Sequence, residues 1–389
     1  MLVVRRALVA WLLVVSACGP RSPQSWLGTA ETIAPGVELY RSADETLVEN
    51  SGPIALCLLK LDLTKVRLSS ALSNDEVLDA ESVADIAKRH AAIAAVNGGF
   101  FNRANGEPLG LLKVGGELVS DSAALKGVVI IPPPGQPPPA LIFDRLSAKM
   151  TLTFTAEGQA WSVPIDGVDT TRERGKLMLY TPAYHADTDT APTGTEWVLD
   201  GRPLRVTTMR PGAGRTRIPR SGAVLSFGGT TLPPALTALT EDVTVTLTTT
   251  WRSMRGLQAP ALETARDIIG GAGLIRHDGA PVSDWKAEAL SADAFTGVRH
   301  PRTMIGVDVQ GRAWLVTVDG RLPNYSVGMT FADLQRLAAR LELTDALNLD
   351  GGGSTTMVVG GEVVNKPSDP GGMRPVSDAL IVTSVGRVE

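Results

Sequence analysis

The stretch Ala346-Leu347-Asn348-Leu349-Asp350-Gly351-Gly352-Gly353-Ser354-Thr355 decides where this 389-residue sequence carries its chemistry. Its apolar start predicts a buried strand, and Asp350 follows at the carboxyl end, where sheets present ligands. Three glycines would leave consecutive N–H groups unshielded as an anion-binding nest, and Ser354 and Thr355 add hydroxyls. The GxxxxGK[ST] spacing of a P-loop and its lysine are missing. The stretch therefore predicts a carboxylate beside an anion-binding loop.

A second glycine turn, Asn97-Gly98-Gly99-Phe100-Phe101-Asn102, ends another apolar strand. Glycine permits positive φ and close backbone approach, while the Asn97 amide is both donor and acceptor. Asn97, Gly98 and Asn102 are therefore candidate binding residues. A turn of this kind can also merely end a strand.

Basic residues and one histidine form two further clusters. In Arg299-His300-Pro301-Arg302-Thr303, Arg302 offers a planar fork for an oxyanion, and His300 can move a proton near neutral pH. The polar segment 365–378 enters the final predicted strand and contributes Arg374 as a candidate binding residue.

The remaining pattern predicts a mixed α+β fold: one catalytic domain with a mostly antiparallel sheet and about three main helices. Helices are expected at 80–90, at 260–269 and from Thr330, whose hydroxyl and Asp333 suit a capping box. Strands are expected at Ile54–Leu63, Ala124–Ile131, Met150–Phe154, Val243–Thr249, Thr303–Val309, Ala313–Thr317 and Ala379–Val385.

The first residues predict export. Arg5 and Arg6 precede a short apolar run and small residues, so 1–17 is expected to be a signal peptide. Val15-Ser16-Ala17-Cys18 resembles a bacterial lipobox, which predicts acylation of Cys18, a tether over 18–35 and a membrane-anchored lipoprotein facing the periplasm or outer membrane. Conventional cleavage near Ala17 is the alternative. The catalytic domain is then 36–389, with the proline-rich segment 132–139 as an exposed insertion loop.

Composition and charge exclude other classes. Apolar residues make up 43% and charged residues 20%, which excludes a disordered or fibrous chain. The formal net charge is −4 without a basic tract, which argues against a nucleic-acid partner. Asp187 and Asp189 invite a calcium hypothesis, but their loop lacks the glycine and glutamate of an EF-hand. No metal or cofactor is therefore expected, with calcium near Asp350 left as an alternative.

The order of the motifs resembles the phosphodiester glycosidase family. The resemblance spans 93–385, loosely from about 140 to 240, and is most specific from Pro301 to Ser354. It implies hydrolysis of a sugar-1-phosphodiester, in a polymer of the envelope or an exopolysaccharide, with release of the sugar and a phosphomonoester. Two departures are Asp169 and Asp378, where uncharged residues are more usual, and they put substrate contacts in doubt.

The resemblance also suggests roles for the candidate residues. A phosphate leaving group is already acidic, so the site needs cations or N–H groups around the phosphate and a carboxylate near the anomeric carbon. Asp350 would be that carboxylate, as nucleophile or base, and His300 would orient water or carry a proton. Arg302 and the amides of Gly351, Gly352 and Gly353 would hold the phosphate, and Asn97, Asn102 and Asn348 the sugar. A phosphodiesterase that splits P–O, and a non-catalytic lectin for phosphosugars, are the alternatives.

Overall fold

The computed structural model describes residues 25–48, 52–133 and 141–385. The predicted signal peptide, Cys18 and most of the proline-rich segment lie outside these residues. Strands account for 44% of the structure and helices for 13%, so the protein is mostly β. The predicted α+β class is therefore wrong. Its strands were undercounted because many have only two to four residues, too few for the alternation of side chains to be recognised in sequence.

The described strands, in chain order, are β1 Glu31–Ala34, β2 Val37–Ser42, β3 Leu56–Leu61, β4 Val66–Leu72, β5 Ala94–Asn97, β6 Leu112–Val114, β7 Glu117–Ser120, β8 Ser122–Ile131, β9 Ile142–Ala156, β10 Gln159–Pro164, β11 Gly167–Val168, β12 Leu177–Tyr180, β13 Thr195–Asp200, β14 Arg205–Pro211, β15 Ala223–Phe227, β16 Val245–Ser253, β17 Asp267–Gly270, β18 Leu274–His277, β19 Ala280–Pro281, β20 Arg302–Asp308, β21 Ala313–Val318, β22 Leu343–Asn348, β23 Met357–Val359, β24 Glu362–Val363 and β25 Asp378–Ser384. The helices are α1 Val83–Arg89, α2 Pro234–Thr237, α3 Ala259–Thr264 and α4 Phe331–Arg340, with a π-helical turn at Ala292–Thr296.

These strands form four sheets. The largest runs β1-β2-β3-β21-β20-β22-β18-β19, and a second runs β10-β9-β8-β17-β6-β7 with β16 added to β9. Two five-stranded sheets follow the orders β11-β12-β15-β13-β14 and β24-β23-β5-β25-β4. Neighbouring strands pair antiparallel except β11 with β12. One cluster of buried apolar residues draws on all four sheets, with Leu315, Val129, Val224 and Leu380 as examples.

Two of the three predicted helices have the expected apolar face. In α4, Thr330 Oγ1 accepts the N–H of Asp333 at 3.1 Å and the Asp333 carboxylate accepts the N–H of Thr330, which confirms the capping box. The buried stripe of α4 packs on one face of the eight-stranded sheet. Helix α1 likewise buries Val83 and Ile86.

The middle helix is shorter than predicted. It ends at Thr264, and Ile268 and Ile269 lie in β17, paired with both β8 and β6. The spacing of the apolar residues suits a helix, but two adjacent β-branched residues gain more from a position inside a sheet. No helix among the described residues is long and apolar enough to span a membrane.

The ends of two sheets meet at the predicted site. Strand β22 lies inside the eight-stranded sheet and leads to Asp350, whereas β5 lies inside a five-stranded sheet and leads to Gly98. The N–H of Asp350 donates to the carbonyl of Gly98 at 3.1 Å. The two glycine turns are therefore joined directly.

Candidate active site

Asp350 is a largely buried carboxylate just beyond β22. Its Oδ1 accepts the N–H of Gly351 at 2.8 Å. Burial raises the pKa of Asp350 to about 6, although the Ser354 hydroxyl and the Gly351 N–H favour its ionised form. Among the described residues, no cation forms an ion pair with it. A carboxylate with this pKa can act as a base near neutral pH.

A second buried carboxylate, Asp378, lies beside the same turn. Its Oδ1 accepts the N–H of Gly99 at 3.0 Å and its Oδ2 the hydroxyl of Ser377 at 3.2 Å. Burial raises the pKa of Asp378, and its negative charge also raises that of Asp350. A Cβ at position 98 would overlap Oδ1 of Asp378, so Gly98 makes room for this carboxylate. The sequence had marked Asp378 only as a departure from the family pattern.

The other departure, Asp169, is a structural residue outside this site. Its carboxylate accepts the N–H and the hydroxyl of Thr181 at 2.7 and 2.6 Å, and burial raises its pKa.

The side-chain amide of Asn97 links three segments of the site by hydrogen bonds. Its Nδ2 donates to the carbonyl of Asp350 at 2.7 Å, and its Oδ1 accepts Thr303 Oγ1 at 2.7 Å and the N–H of Thr356 at 3.2 Å. The residue is fully buried. Both ends of the amide therefore bind protein groups, which gives Asn97 a positioning role in place of the predicted sugar contact.

Arg302 does not face the site. It is 2% exposed, and its Nε and Nη2 donate to the carbonyls of Met329, Phe295 and Val298. Its guanidinium also lies 5.0 Å from the ring centroids of both Phe295 and Phe331. Alternation along β20 explains the placement: Thr303 points to Asn97, so Arg302 points to the opposite face of the sheet, toward α4. The predicted phosphate fork is wrong.

The glycine loop itself offers fewer free amides than predicted. The N–H of Gly351 binds Asp350 and the N–H of Gly352 binds the carbonyl of Pro301 at 2.9 Å. At most the N–H of Gly353 is left for an anion, so the predicted three-amide nest does not form. Gly352 has φ of 61°, a left-handed conformation that favours glycine.

Two guanidinium groups flank this loop instead. A Cβ at position 352 would lie 2.9 Å from Nη2 of Arg321, and one at position 353 would overlap Nη2 of Arg374. Arg374 is held by Asp369, to which its Nε donates at 2.9 Å, whereas Arg321 is exposed and forms no ion pair within the described segments. Sequence reasoning found Arg374 and missed Arg321. Arg321 has a φ of 61°, a conformation uncommon outside glycine, which fixes the direction of its side chain.

His300 lies beside the Arg321 guanidinium. Its Nδ1 is 3.3 Å from Nη2 of Arg321. Burial, and then the positive charges of Arg302 and Arg321, lower the pKa of His300. The imidazole is therefore neutral at pH 7, and the predicted role of accepting a proton or orienting water stays a prediction.

The remaining predicted residues differ in how close they lie to Asp350. Asn348 donates to the carbonyls of Ala272 and Leu349, while its Oδ1 is buried without a hydrogen-bond partner, as is Oγ1 of Thr355. Asn102 turns its Oδ1 to the N–H of Ala104 at 3.0 Å, inside its own loop. No contact joins Asn102 to the Asp350 loop in the part of the chain described.

A cavity of about 730 Å³ lies apart from these residues. Its lining includes Asn105, Thr171, Arg174 and Tyr184, and no predicted catalytic residue. Trp197, in the nearby strand β13, is fully buried and donates to the carbonyl of Leu239 at 2.7 Å. The chemistry, rather than the size of the cavity, places the candidate site at Asp350.

Two clusters of carboxylates resemble metal sites, but in each of them an arginine contacts the carboxylates. Arg215 approaches Asp187 and Asp189 at 3.5 and 3.6 Å. His277, Asp278 and Asp345 lie together, but Arg255 Nη2 contacts all three within 3.1 Å. A guanidinium thus occupies the position that a cation would take.

Comparison with known proteins finds a family model that matches part of the second half of the chain. The model of the phosphodiester glycosidase family matches residues 194–383, which confirms the resemblance over the segment that carries His300, Asp350, Arg374 and Asp378. The Asn97 turn lies outside that match.

Curated relatives include N-acetylglucosamine-1-phosphodiester alpha-N-acetylglucosaminidase of Bos taurus, 31% identical over 102 residues, and of Homo sapiens, 32% identical over 102 residues. Each alignment covers 26% of this chain and 19% of the relative, so the chain matches about a fifth of their length.

Solved structures resemble the whole fold. A hypothetical protein from Synechocystis has a TM-score of 0.75 at 22% identity, covering 92% of this chain and 63% of the other. A putative exported protein from Burkholderia pseudomallei has a TM-score of 0.71 at 23% identity, covering 85% and 74%. At these identities the likeness concerns the fold alone.

Proposed function

We propose that this chain, whose residues 194–383 match the phosphodiester glycosidase family, is a hydrolase that cleaves sugar-1-phosphodiesters at the bond between the anomeric carbon and oxygen. The observation that carries the proposal is Asp350: a largely buried carboxylate with a pKa of about 6, beside a glycine loop flanked by two arginines.

The chemistry follows from where these groups lie. Positive charge develops at the anomeric carbon as the bond to oxygen breaks, and the ionised Asp350 stabilises it as nucleophile or as the base that activates water. The oxygen leaves with the phosphate as a phosphomonoester. Arg321 and Arg374 stabilise the negative charge that builds up on the leaving phosphate. The sequence-based prediction had given this role to Arg302. Water supplies the new oxygen of the sugar, and neutral His300 can accept its proton.

The products distinguish this reaction from the two alternatives. A phosphodiesterase would place the water oxygen on phosphorus, and a non-catalytic lectin would release no product. Burial of two carboxylates costs free energy of folding, and their negative charge does not help to bind an anionic ligand. Their presence therefore supports catalysis over binding alone. The raised pKa of Asp350 supports it further.

The experiment is hydrolysis of methyl N-acetylglucosamine 1-phosphate in oxygen-18 water. We expect free sugar carrying the label and unlabelled methyl phosphate, by mass spectrometry. Asp350→Ala should release no sugar, whereas Asp169→Asn, a change at a buried carboxylate outside the site, should retain turnover. Label in the phosphate would reject the glycosidase in favour of the phosphodiesterase.

The setting of the reaction is part of the same proposal. The lipobox at Cys18 and the preceding signal predict an exported, lipid-anchored protein, and the substrate is then a glycosyl phosphate polymer of the envelope or an exopolysaccharide. Mass spectrometry of the protein from membranes, for an acylated Cys18 as first residue, tests the anchor.

A further inference from the structure

We propose that Tyr325 and Lys366, next to Arg321, form a rim that binds a second phosphate of the substrate, so that the enzyme favours chains of sugar phosphates over single phosphodiesters. This inference rests on the proposed function, because it concerns the substrate of the same site.

The rim is built around a buried carboxylate that the mechanism does not use. Asp319, 2% exposed, follows β21 and accepts Asn365 Nδ2 at 2.8 Å and the N–H of Lys366 at 3.0 Å. Burial raises the pKa of Asp319, and its hydrogen bonds, including one from the hydroxyl of Tyr325, partly offset that rise. Asp319 therefore locks the hairpin that carries Tyr325 to the loop that carries Lys366.

The locked surface adjoins the glycine loop. Asn365 Nδ2 also donates to the carbonyl of Thr355, the residue after Ser354, at 3.1 Å. Arg321, in the same hairpin as Tyr325, touches the position of Gly352. A chain whose scissile phosphate lies between Arg321 and Arg374 would therefore pass over Tyr325 and Lys366 as it leaves the site.

The chemistry of the rim suits an anionic sugar chain. Lys366 Nζ lies 4.9 Å from the ring centroid of Tyr325. Tyr325 is 42% exposed, and few large hydrophobic residues among those described are so exposed. An exposed ring beside an ammonium group binds a sugar face and an adjacent negative charge. Within the described ranges, neither Lys366 nor Arg321 forms an ion pair with a carboxylate, so both cations are available to phosphate.

The test compares two substrates that differ by one phosphate. Methyl N-acetylglucosamine 1-phosphate has one, and its phosphate-linked dimer has two. For the wild type we expect a higher kcat/KM on the dimer at low salt, and for Lys366→Gln and Tyr325→Ala a loss of about three- to fivefold on the dimer alone, the size of an exposed charge contact. Lys60→Gln is the matched control, because Lys60 also lies over an aromatic ring, that of Trp314, away from the site.

The outcomes separate the two proposals. Cleavage of neither substrate overturns the proposed function and this inference with it. Equal kcat/KM on both substrates, or equal losses on both in the Lys366 variant, overturns only the rim. Since Tyr325→Ala could loosen the hairpin, Tyr325→Phe, which keeps the ring and loses the bond to Asp319, is measured too. Retention of most of the dimer preference in Tyr325→Phe supports the ring as the contact.

Discussion

Strand β22 carries one carboxylate within it and one just beyond it, and the two have opposite surroundings. Asp345 is tied to Arg255 at 2.9 Å and to His277 at 3.0 Å. Asp350 has no ion pair among the described residues, although arginines flank the loop that follows it. The same strand thus supports a closed charge cluster and an open one. A buried carboxylate left without a partner costs free energy, so its retention indicates a reaction, whereas a paired one serves the fold.

The largest effect expected from this difference is on turnover. Asp350→Asn should lower kcat by at least about 10³-fold, because the amide cannot act as base or nucleophile. Asp345→Asn should leave kcat within about twofold and instead lower the midpoint of thermal unfolding, since Arg255 loses one of its two carboxylate partners. Steady-state rates and calorimetry on both variants measure this. Comparable losses of turnover in the two would show that the contrast has no catalytic meaning.

The arginines provide the next test. Arg321→Gln should lower kcat/KM by about 10²-fold, the usual effect of removing one group that stabilises transition-state charge. Arg302→Met should reduce stability, because three carbonyls lose their donor, yet leave kcat/KM of the folded enzyme within about threefold. Measurements of kcat/KM for each variant, made below its unfolding temperature, distinguish the roles of the two arginines. A stable Arg302→Met enzyme without activity would restore the sequence-based assignment.

These two arginines also show what the sequence could predict. The Asp350 turn was predictable, because an apolar strand followed by an acidic residue and glycines can be recognised directly in the amino-acid sequence. Asp319-Gly320-Arg321 repeats that pattern after β21, and this signal could have found Arg321. The alternation along β20 could likewise have excluded Arg302, given that Thr303 faces the site. What sequence spacing could not provide is the contact between distant turns, such as Gly98 with Asp350.

The fold was predictable in a similar, partial way. Seven long strands were located to within a few residues, except β9, which is far longer than Met150–Phe154 and extends from Ile142 to Ala156. The short strands, and the class of the fold with them, were missed, because pairs such as β11 with β12 are held by their neighbours and not by local pattern.

The two buried carboxylates of the site predict a shift in the pH profile. Activity should fall as pH drops through about 6, where Asp350 becomes protonated. Because the charge of Asp378 raises the pKa of Asp350, Asp378→Asn should move this acid limb to lower pH. His300 is the other ionisable group that could set this limb; its pKa is lowered by burial and by the charges of Arg302 and Arg321, and Asp378 is not among the groups that shift it. Profiles of kcat/KM from pH 4.5 to 8 measure the limb, and an unmoved midpoint would mean that His300 sets it.

The last effect is on stability, and its sign opposes that of an ion pair. The pKa of Asp350 is raised in the folded state, so its ionisation disfavours folding above pH 6 and has almost no effect below about pH 3, where the group is protonated in both states. A shift from 3.8 to about 6 corresponds to about 3 kcal/mol. Asp350→Asn should therefore raise the free energy of unfolding at pH 7 by up to that amount, and this gain should vanish at about pH 3.

Urea unfolding at both pH values measures the gain, with Asp345→Asn as the matched variant from the same strand. That variant should be less stable than the wild type at pH 7, because its carboxylate is paired with Arg255. If both variants lose stability at pH 7, the carboxylate of Asp350 is stabilised by its neighbours in the fold, as that of Asp345 is. The contrast between the two carboxylates would then not hold. A gain at pH 7 confined to Asp350→Asn means that the fold bears the cost of this carboxylate for the sake of the reaction.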